Sequence, residues 1–212
     1  MPAVTAILPD PRGSGGFTVF LDGASFALVS AGDVHALGLA VGAALVPEAV
    51  ARLEQRAEVF AARLGALRIL AFRALPSTEI QRRLVRKGFV PATAGEAVAS
   101  LVAAGLINDA EFARHFARTR AKRFRYGPAR LARDLRRLGI GQEEADRAVR
   151  EALASEGVDT GELLREAAAR KLRSLGDVDP QVRRRRLKTY LLRRGFAAAD
   201  VVQVVRAAVA GS

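Results

Sequence analysis

Two basic runs hold most of the chemistry that this 212-residue chain can offer. The first is Arg118, Arg120, Lys122, Arg123 and Arg125, leading into Tyr126, with Arg130 and Arg133 just beyond. The second is Arg183, Arg184, Arg185, Arg186 and Lys188, with Arg193 and Arg194. A guanidinium offers paired donors in one plane and is weakly hydrated, so clusters of this kind suit phosphate oxygens. All of these residues are read as candidate contacts to nucleic acid or a nucleoprotein, against the plainer alternative of a solvated helix face. At 3.6 residues per turn, four consecutive arginines cannot share one face, so one or two of residues 183–186 should be structural or face a partner. Tyr126 reads as a packing residue at an interhelical turn, and twelve aromatic side chains in all leave little for extensive base stacking.

Catalytic chemistry finds little to work with, and the sequence reads as that of a protein without enzymatic activity, cofactor or metal. The absence of cysteine excludes disulfides, thiolate metal sites and a thiol nucleophile, and fits a reducing cytosol. The only imidazoles, His35 and His115, lie far apart in sequence. The segment Arg12–Gly16, RGSGG, lacks the Gly-Lys-Ser/Thr ending of a phosphate loop and precedes a strand pattern instead of opening a helix. Glu143 and Glu144 suit the first turn of a helix, where carboxylates favour the dipole, and Asp177 and Asp179 read as turn and cap residues before Pro180. The opening MPAVTAILPDPRG has no basic segment followed by an apolar core, so no signal peptide is expected. No long uninterrupted apolar run predicts a membrane span. A cytoplasmic location follows as the expectation.

Charge is distributed unevenly. Four basic and six acidic side chains up to Ala66 give that part a balance of −2, so Leu67–Ser212 carries +14 of a net +12. Thirty arginines against four lysines resemble a coding bias, but such a bias does not confine the positive excess to one part of the chain. Polyanions are the natural partners of that part.

The elements that must position these charges repeat. EIQRRLVRKGF (Glu79–Phe89), RLARDLRRLGI (Arg130–Ile140) and RLKTYLLRRGF (Arg186–Phe196) each end a basic run in Gly plus a large apolar residue. Nine positions before that residue stand Ile80, Leu131 and Leu187; nine after it Val98, Val149 and Val205; thirteen after it Val102, Leu153 and Val209. Spacings of 51 and 56 residues suit three helices per copy. The expected fold is mainly α, three tandem three-helix repeats with a small N-terminal β-hairpin module. The boundaries are 1–46 for the hairpin module, 47–66 for a linking helix, and 67–107, 108–157 and 158–212 for the repeats.

In the hairpin module, strands near Phe17–Leu21 and Ser25–Val29 flank Asp22-Gly23, a strong two-residue turn signal. A short helix in Ala31–Gly38 and a third strand in Leu39–Leu45 follow. The helix Pro47–Ala74 should present Leu53, Val59, Phe60, Leu64, Leu67 and Leu70 on one face, with a bend or break at Gly65. Repeat 1 then continues with Ser77, as N-cap, to Lys87, and Thr93–Ala103. Repeat 2 is Ala110–Phe124, capped by Asn108 or Asp109 with Phe112, Phe116 and Phe124 on a buried face, then Pro128–Leu138 and Gln142–Ala154. Repeat 3 is Gly161–Ser174, Pro180–Arg194 and Ala198–Val209.

The stretch Gly105–Ile140, GLINDAEFARHFARTRAKRFRYGPARLARDLRRLGI, resembles the signature of the RecX family, bacterial regulators of the RecA recombinase. The residues that carry it are Gly105, Ile107, Asn108, Asp109, Phe112 and Ala113, then Gly127, Pro128, Arg130, Leu131, Asp134, Leu135, Gly139 and Ile140. The triplicated frame covers about two-thirds of the chain, and the hairpin is similar to an extension of some longer members. The resemblance implies a protein that lies in the groove of the RecA–DNA filament, inhibits ATPase and strand exchange by capping or destabilising it, and binds single- or double-stranded DNA directly. It places the chain in recombination, DNA repair and the SOS response, acting as a monomer. The competing reading is an autonomous DNA-binding regulator whose repeats act as helix-turn-helix units. A base-reading helix should present Asn, Gln and Arg to base edges, whereas these faces are mostly Arg and Ala, which favours phosphate contact.

Overall fold

The computed structural model describes residues 1–155, 157–176 and 178–210, the side chains of 209 and 210 excepted. Asp177 and the side chain of Val209 therefore lie outside the described residues. The described residues form three strands and ten helices, mainly helical as the repeats imply, in two compact units, Met1–Ile107 and Asn108–Ser212.

In the first unit, β1 (Val4–Pro9), β2 (Gly16–Leu21) and β3 (Ala24–Ser30) form an antiparallel sheet in that order. Asp22 and Gly23 both have positive φ, 47° and 83°, the turn whose twist matches that of paired strands. The sheet thus has one strand more than the sequence suggests at its start, and lacks the strand expected in Leu39–Leu45. That segment makes a single bridge, Ala3 with Ala44, and Gly42 at φ +90° interrupts any extended run. Its leucines still serve the core: Leu39 and Leu45 are buried with Val4, Val19, Val29 and Leu53.

Ser30 caps α1 (Ala31–Ala36) in a capping box with Asp33. The buried Asp33 carboxylate also takes a 2.5 Å bond from Arg56 Nε, and Arg56 reaches Glu96 as well. Arg56 belongs to α2 (Pro47–Phe72), which runs unbroken through Gly65 for 26 residues. The expected break is absent because Gly65 is a packing position: a Cβ there would stand 3.2 Å from Leu84 Cδ2. Leu53, Val59 and Phe60 are buried as read from the sequence; Leu64, Leu67 and Leu70 are half-buried beside Ala62, Ala66 and Ile69, which are buried. One helix thus serves two cores, the sheet through its N-terminal half and α3 (Ser77–Arg86) with α4 (Pro91–Ala103) through its C-terminal half. Pro76, not Ser77, holds the N-cap position of α3, and Ser77 is its first helical residue.

The second unit comprises α5 (Asp109–Phe124), α6 (Pro128–Arg137), α7 (Gln142–Ser155), α8 (Thr160–Leu175), α9 (Pro180–Arg193) and α10 (Ala198–Ala210). Asn108 caps α5 by accepting from Glu111 N–H at 3.0 Å. The buried stripe of α5 is Ala113, Ala117 and Ala121, not the phenylalanines. Small residues at i, i+4 and i+8 let α5 lie close to α7, whose buried face includes Ala145, Ala148 and Ala152. Phe112 and Phe116 flank that seam, and Phe124 is 38% exposed.

The repeated frame has one physical cause. Gly88, Gly139 and Gly195 have φ of +100°, +95° and +84°. In each copy the next residue donates its N–H to a carbonyl five residues back: Phe89 to Leu84, Ile140 to Leu135, Phe196 to Leu191. The glycine itself donates to Val85, Arg136 or Leu192. This paired closure satisfies the last carbonyls of a helix, needs a left-handed residue, and seats an apolar side chain over the final turn. Ile80, Leu131 and Leu187 are fully buried, as are, or nearly so, Val98, Val149 and Val205. The last column is imperfect: Leu153 is buried, but Val102 is 46% exposed and Leu101 takes the core position.

Two outcomes follow. A Gly88→Ala change meets no neighbour within 4 Å and should cost about 1–2 kcal/mol in denaturant unfolding, the conformational term alone. Gly195→Ala should cost clearly more, because a Cβ there would also lie 2.5 Å from Arg130 Cβ. Burial by itself would raise the Asp33 pKa, but bonds from Ser30 and Arg56 outweigh it and hold the carboxyl below its usual value. A depressed pKa contributes stability above the unfolded-state value that is lost as pH falls through the folded one. The thermal stability of the first unit should therefore fall in that acidic window, and Asp33→Asn should flatten the dependence.

Candidate nucleic-acid interface

The second basic run sits on α9, where helical geometry sorts it. Leu187 and Leu191 face the core. Arg183 turns inward and donates from Nη2 to Gly176 O at 3.2 Å, bracing the end of α8. Arg185, Thr189 and Arg193 follow at i, i+4 and i+8 on the opposite side, with Arg186 beside them. Arg184 and Lys188 are exposed on another flank of the same helix. Along the first stripe α8 contributes Lys171 and Ser174, closing a cleft of about 590 Å3 whose floor includes Leu175 and Tyr190. The cleft is lined, among the described residues, by four cations and no carboxylate. Among the described residues no acidic side chain pairs with Lys171, Arg185, Arg186 or Arg193; Lys171 lies 5.4 Å from the Tyr190 ring.

The first run behaves differently, because much of it holds the turn between α5 and α6. Arg125 takes the left-handed position that ends α5, φ 52°, and its Nε lies 2.6 Å from Glu166 on α8. Tyr126 stacks on Phe124 at 5.5 Å, with the Arg130 guanidinium 3.9 Å and that of Arg194 5.4 Å from its ring centre. Arg130 also donates to Arg193 O at 3.3 Å and lies 3.6 Å from Asp134. Arg194 donates to the Phe124 carbonyl and covers Tyr190 at 4.7 Å. These three arginines and Tyr126 knit α5, α6, α8 and α9 together. Arg120 and Arg123 lie over Phe116 and Phe124, at 4.5 and 5.3 Å. Arg118 leans on His115 at 3.4 Å, and Arg118, Lys122 and Arg133 keep their side chains exposed. The structure thus gathers Arg185, Arg186 and Arg193 in one cleft and assigns Arg125, Tyr126, Arg130, Arg183 and Arg194 to packing.

Lys171, Ser174 and Thr189 are absent from the sequence-read set. Thr189 could have been found by stepping four residues from Arg185; Lys171 stands on a different helix and has no such signal. A second basic cleft, in the first unit, also escapes the sequence reading. It lies between the ends of α2 and α3, holds about 580 Å3, and is lined by Arg68, Phe72, Arg73, Arg83, Arg86 and Lys87 with Ile69. Glu79 bonds Arg83 at 2.9 Å and lies 3.5 Å from Arg86. The Arg83 bond, with the charges of Arg83 and Arg86, outweighs partial burial and keeps the Glu79 carboxyl below its usual pKa. Among the described residues no group of three or more His, Asp or Glu is placed to hold a metal ion.

Comparison with known proteins adds to this geometry. Residues 108–159 match the family model described as RecX, second three-helix domain, and residues 159–205 that of the third. A regulatory protein RecX of Halorhodospira halophila is 36% identical over 70% of the chain and 88% of its own length. One from Amycolatopsis mediterranei is 34% identical over 65% of the chain and 77% of its own. In fold, the chain is similar to a crystal structure of regulatory protein RecX, with a TM-score of 0.79 at 20% identity over 96% of this chain and 98% of the other. It is also similar to RecX from Lactobacillus salivarius, with a TM-score of 0.57 over 70% of this chain and 95% of that one.

The division between packing and free arginines has a measurable consequence. Arg194→Ala should lower the stability of the second unit by about 2 kcal/mol, the scale of a charge-assisted bond to a carbonyl. Arg185→Ala, on an exposed face, should change it by less than about 0.5 kcal/mol. Equal losses in urea unfolding would contradict the assignment.

Proposed function

The chain belongs to the RecX family of regulatory proteins, and on that footing we propose that it binds RecA and the RecA–DNA filament and inhibits ATPase and strand exchange. It does so as a cytoplasmic monomer in recombination, DNA repair and the SOS response, with no catalysis of its own. The observation that carries the DNA-binding part is the α8–α9 cleft, which among the described residues has four cations, no lining carboxylate, and two hydroxyls, Ser174 and Thr189.

Coulomb attraction explains what such a cleft does. Cations already paired with carboxylates gain little from a phosphate, since one ion pair replaces another. Among the described residues Lys171, Arg185, Arg186 and Arg193 have no such pair to give up, so each phosphate engaged releases counterions from the nucleic acid. Serine and threonine hydroxyls add neutral donors to the backbone and read no sequence. A site of this composition recognises a sugar-phosphate backbone in whatever strand a filament presents. Weak contacts of this kind gain strength when the same molecule also holds the recombinase, because the second contact becomes intramolecular.

Titration of RecA ATPase on single-stranded DNA tests the proposal. Substoichiometric protein should suppress hydrolysis, and the Arg185→Ala/Arg193→Ala double variant should need several-fold more. On duplex DNA without RecA, that variant should lower the salt-dependence slope of log affinity by roughly 1.8 if both arginines meet phosphates. Unchanged ATPase at stoichiometric protein, with tight binding to one duplex sequence, would instead establish an autonomous DNA-binding regulator.

A further inference from the structure

We propose that the cleft between the ends of α2 and α3 is a stacking site for an unpaired nucleobase, with Phe72 as its platform and Arg68, Arg73 and Lys87 engaging the flanking phosphates. The inference rests on the nucleic-acid part of the reading above, but concerns a different site and needs no RecA.

Phe72 is 90% exposed, by far the most exposed aromatic ring among the described residues. It is the last residue of α2; Arg73 then adopts an extended backbone, φ −168°, which turns the chain away and leaves the ring standing at the helix end. Burying that ring on folding would have been favourable, yet it belongs to no core cluster. Its surroundings indicate the partner. Among the described residues the cleft beside it is lined by five cations and no carboxylate. Glu79 already engages Arg83 and Arg86, whereas Arg68, Arg73 and Lys87 are exposed and have no acidic partner among the described residues.

An aromatic anchor meant for another protein is normally surrounded by contacts that exclude water, which a rim of hydrated cations does not favour. A rim of one sign of charge instead fits a ligand that is apolar and flat at its centre and anionic at both ends. A nucleotide in a single strand has that form: the base offers a π face and the phosphates flank it. A duplex does not, because its base faces are stacked on one another. The clustering has a second, purely structural effect, since Arg83, Arg86 and Lys87 sit where the C-terminus of α3 concentrates partial negative charge. The same effect reaches Arg73 at the C-cap of α2, but not Arg68, which lies before the last turn, and it gives no reason for the exposed ring.

The chain contains no tryptophan, so Phe72→Trp introduces a single fluorescent reporter at the platform. With the full-length chain and no RecA, oligothymidine should quench its emission, while an abasic oligomer of equal length and charge should bind and leave the emission largely unchanged. Phe72→Ala and Phe72→Leu should both weaken oligothymidine binding about tenfold, within the range measured for loss of one base–aromatic stack, and leave abasic binding as it is. Phe72 is at the surface, so circular dichroism of both variants should match that of the parent protein. Equal affinity of the parent for the two oligomers, or oligothymidine binding by Phe72→Ala as tight as the parent's, overturns the stacking site while leaving phosphate binding in place. Failure of the parent to bind either oligomer overturns both.

Discussion

The second unit depends on one close approach of backbone to backbone. The turn between α5 and α6 meets the turn between α9 and α10: Gly127 N–H donates to Arg194 O at 2.8 Å and Ala129 N–H to Gly195 O at 3.2 Å. A Cβ at Gly127 would stand 2.5 Å from Gly195 O, and one at Gly195 would collide with Arg130. Gly127 has an ordinary φ of −75°, so it is there for space alone, whereas Gly195 supplies both space and a left-handed conformation. The repeat frame and the crossing are thus one device. The glycine that ends α9 is also the surface on which the neighbouring three-helix copy closes.

That crossing decides which arginines are free. Once the two turns are locked, Tyr126 is brought against Arg130 and Arg194, and both guanidiniums are committed to rings and carbonyls. Arg125 is committed to Glu166 and Arg183 to the end of α8. What remains along α9 is the stripe of Arg185, Arg186 and Arg193, with Arg184 and Lys188 on another flank, all outward because Leu187 and Leu191 look inward. A high content of arginine therefore does not translate into a uniform basic surface. Part of it replaces the large apolar residues that an alanine-rich core leaves out, stacking its planar groups on the few aromatic rings.

How much could be read beforehand follows from which features are local. The helix-ending glycines were legible because the closing motif writes itself into sequence as Gly plus a large apolar residue. The Asp22-Gly23 turn was legible for the same reason. β1 was not: it has a single buried side chain, Val4, ends at Pro9, and is fixed by its register with β2, which no local pattern shows. The alanine face of α5 was hidden behind larger phenylalanines that a hydrophobic pattern weighs more heavily. For the basic residues, 3.6-residue periodicity requires that residues 183–186 divide between faces but does not say which turns inward; the bond of Arg183 to Gly176, the pairing of Arg125 with Glu166, and the arrival of Lys171 beside α9 are tertiary facts. Phe72 escaped notice because an apolar residue near a helix end reads as core until its neighbours are known.

On the function proposed above, the repeats are scaffold, and recognition lies in the basic clefts they frame. Hydrogen exchange of the full chain, alone and with RecA assembled on single-stranded DNA, addresses this division most directly. The account predicts slowed exchange in Thr160–Leu175 and Pro180–Arg193 and around the end of α2, with the N-terminal sheet unchanged. Protection confined to the sheet, with α8 and α9 exchanging as in the free protein, would contradict it.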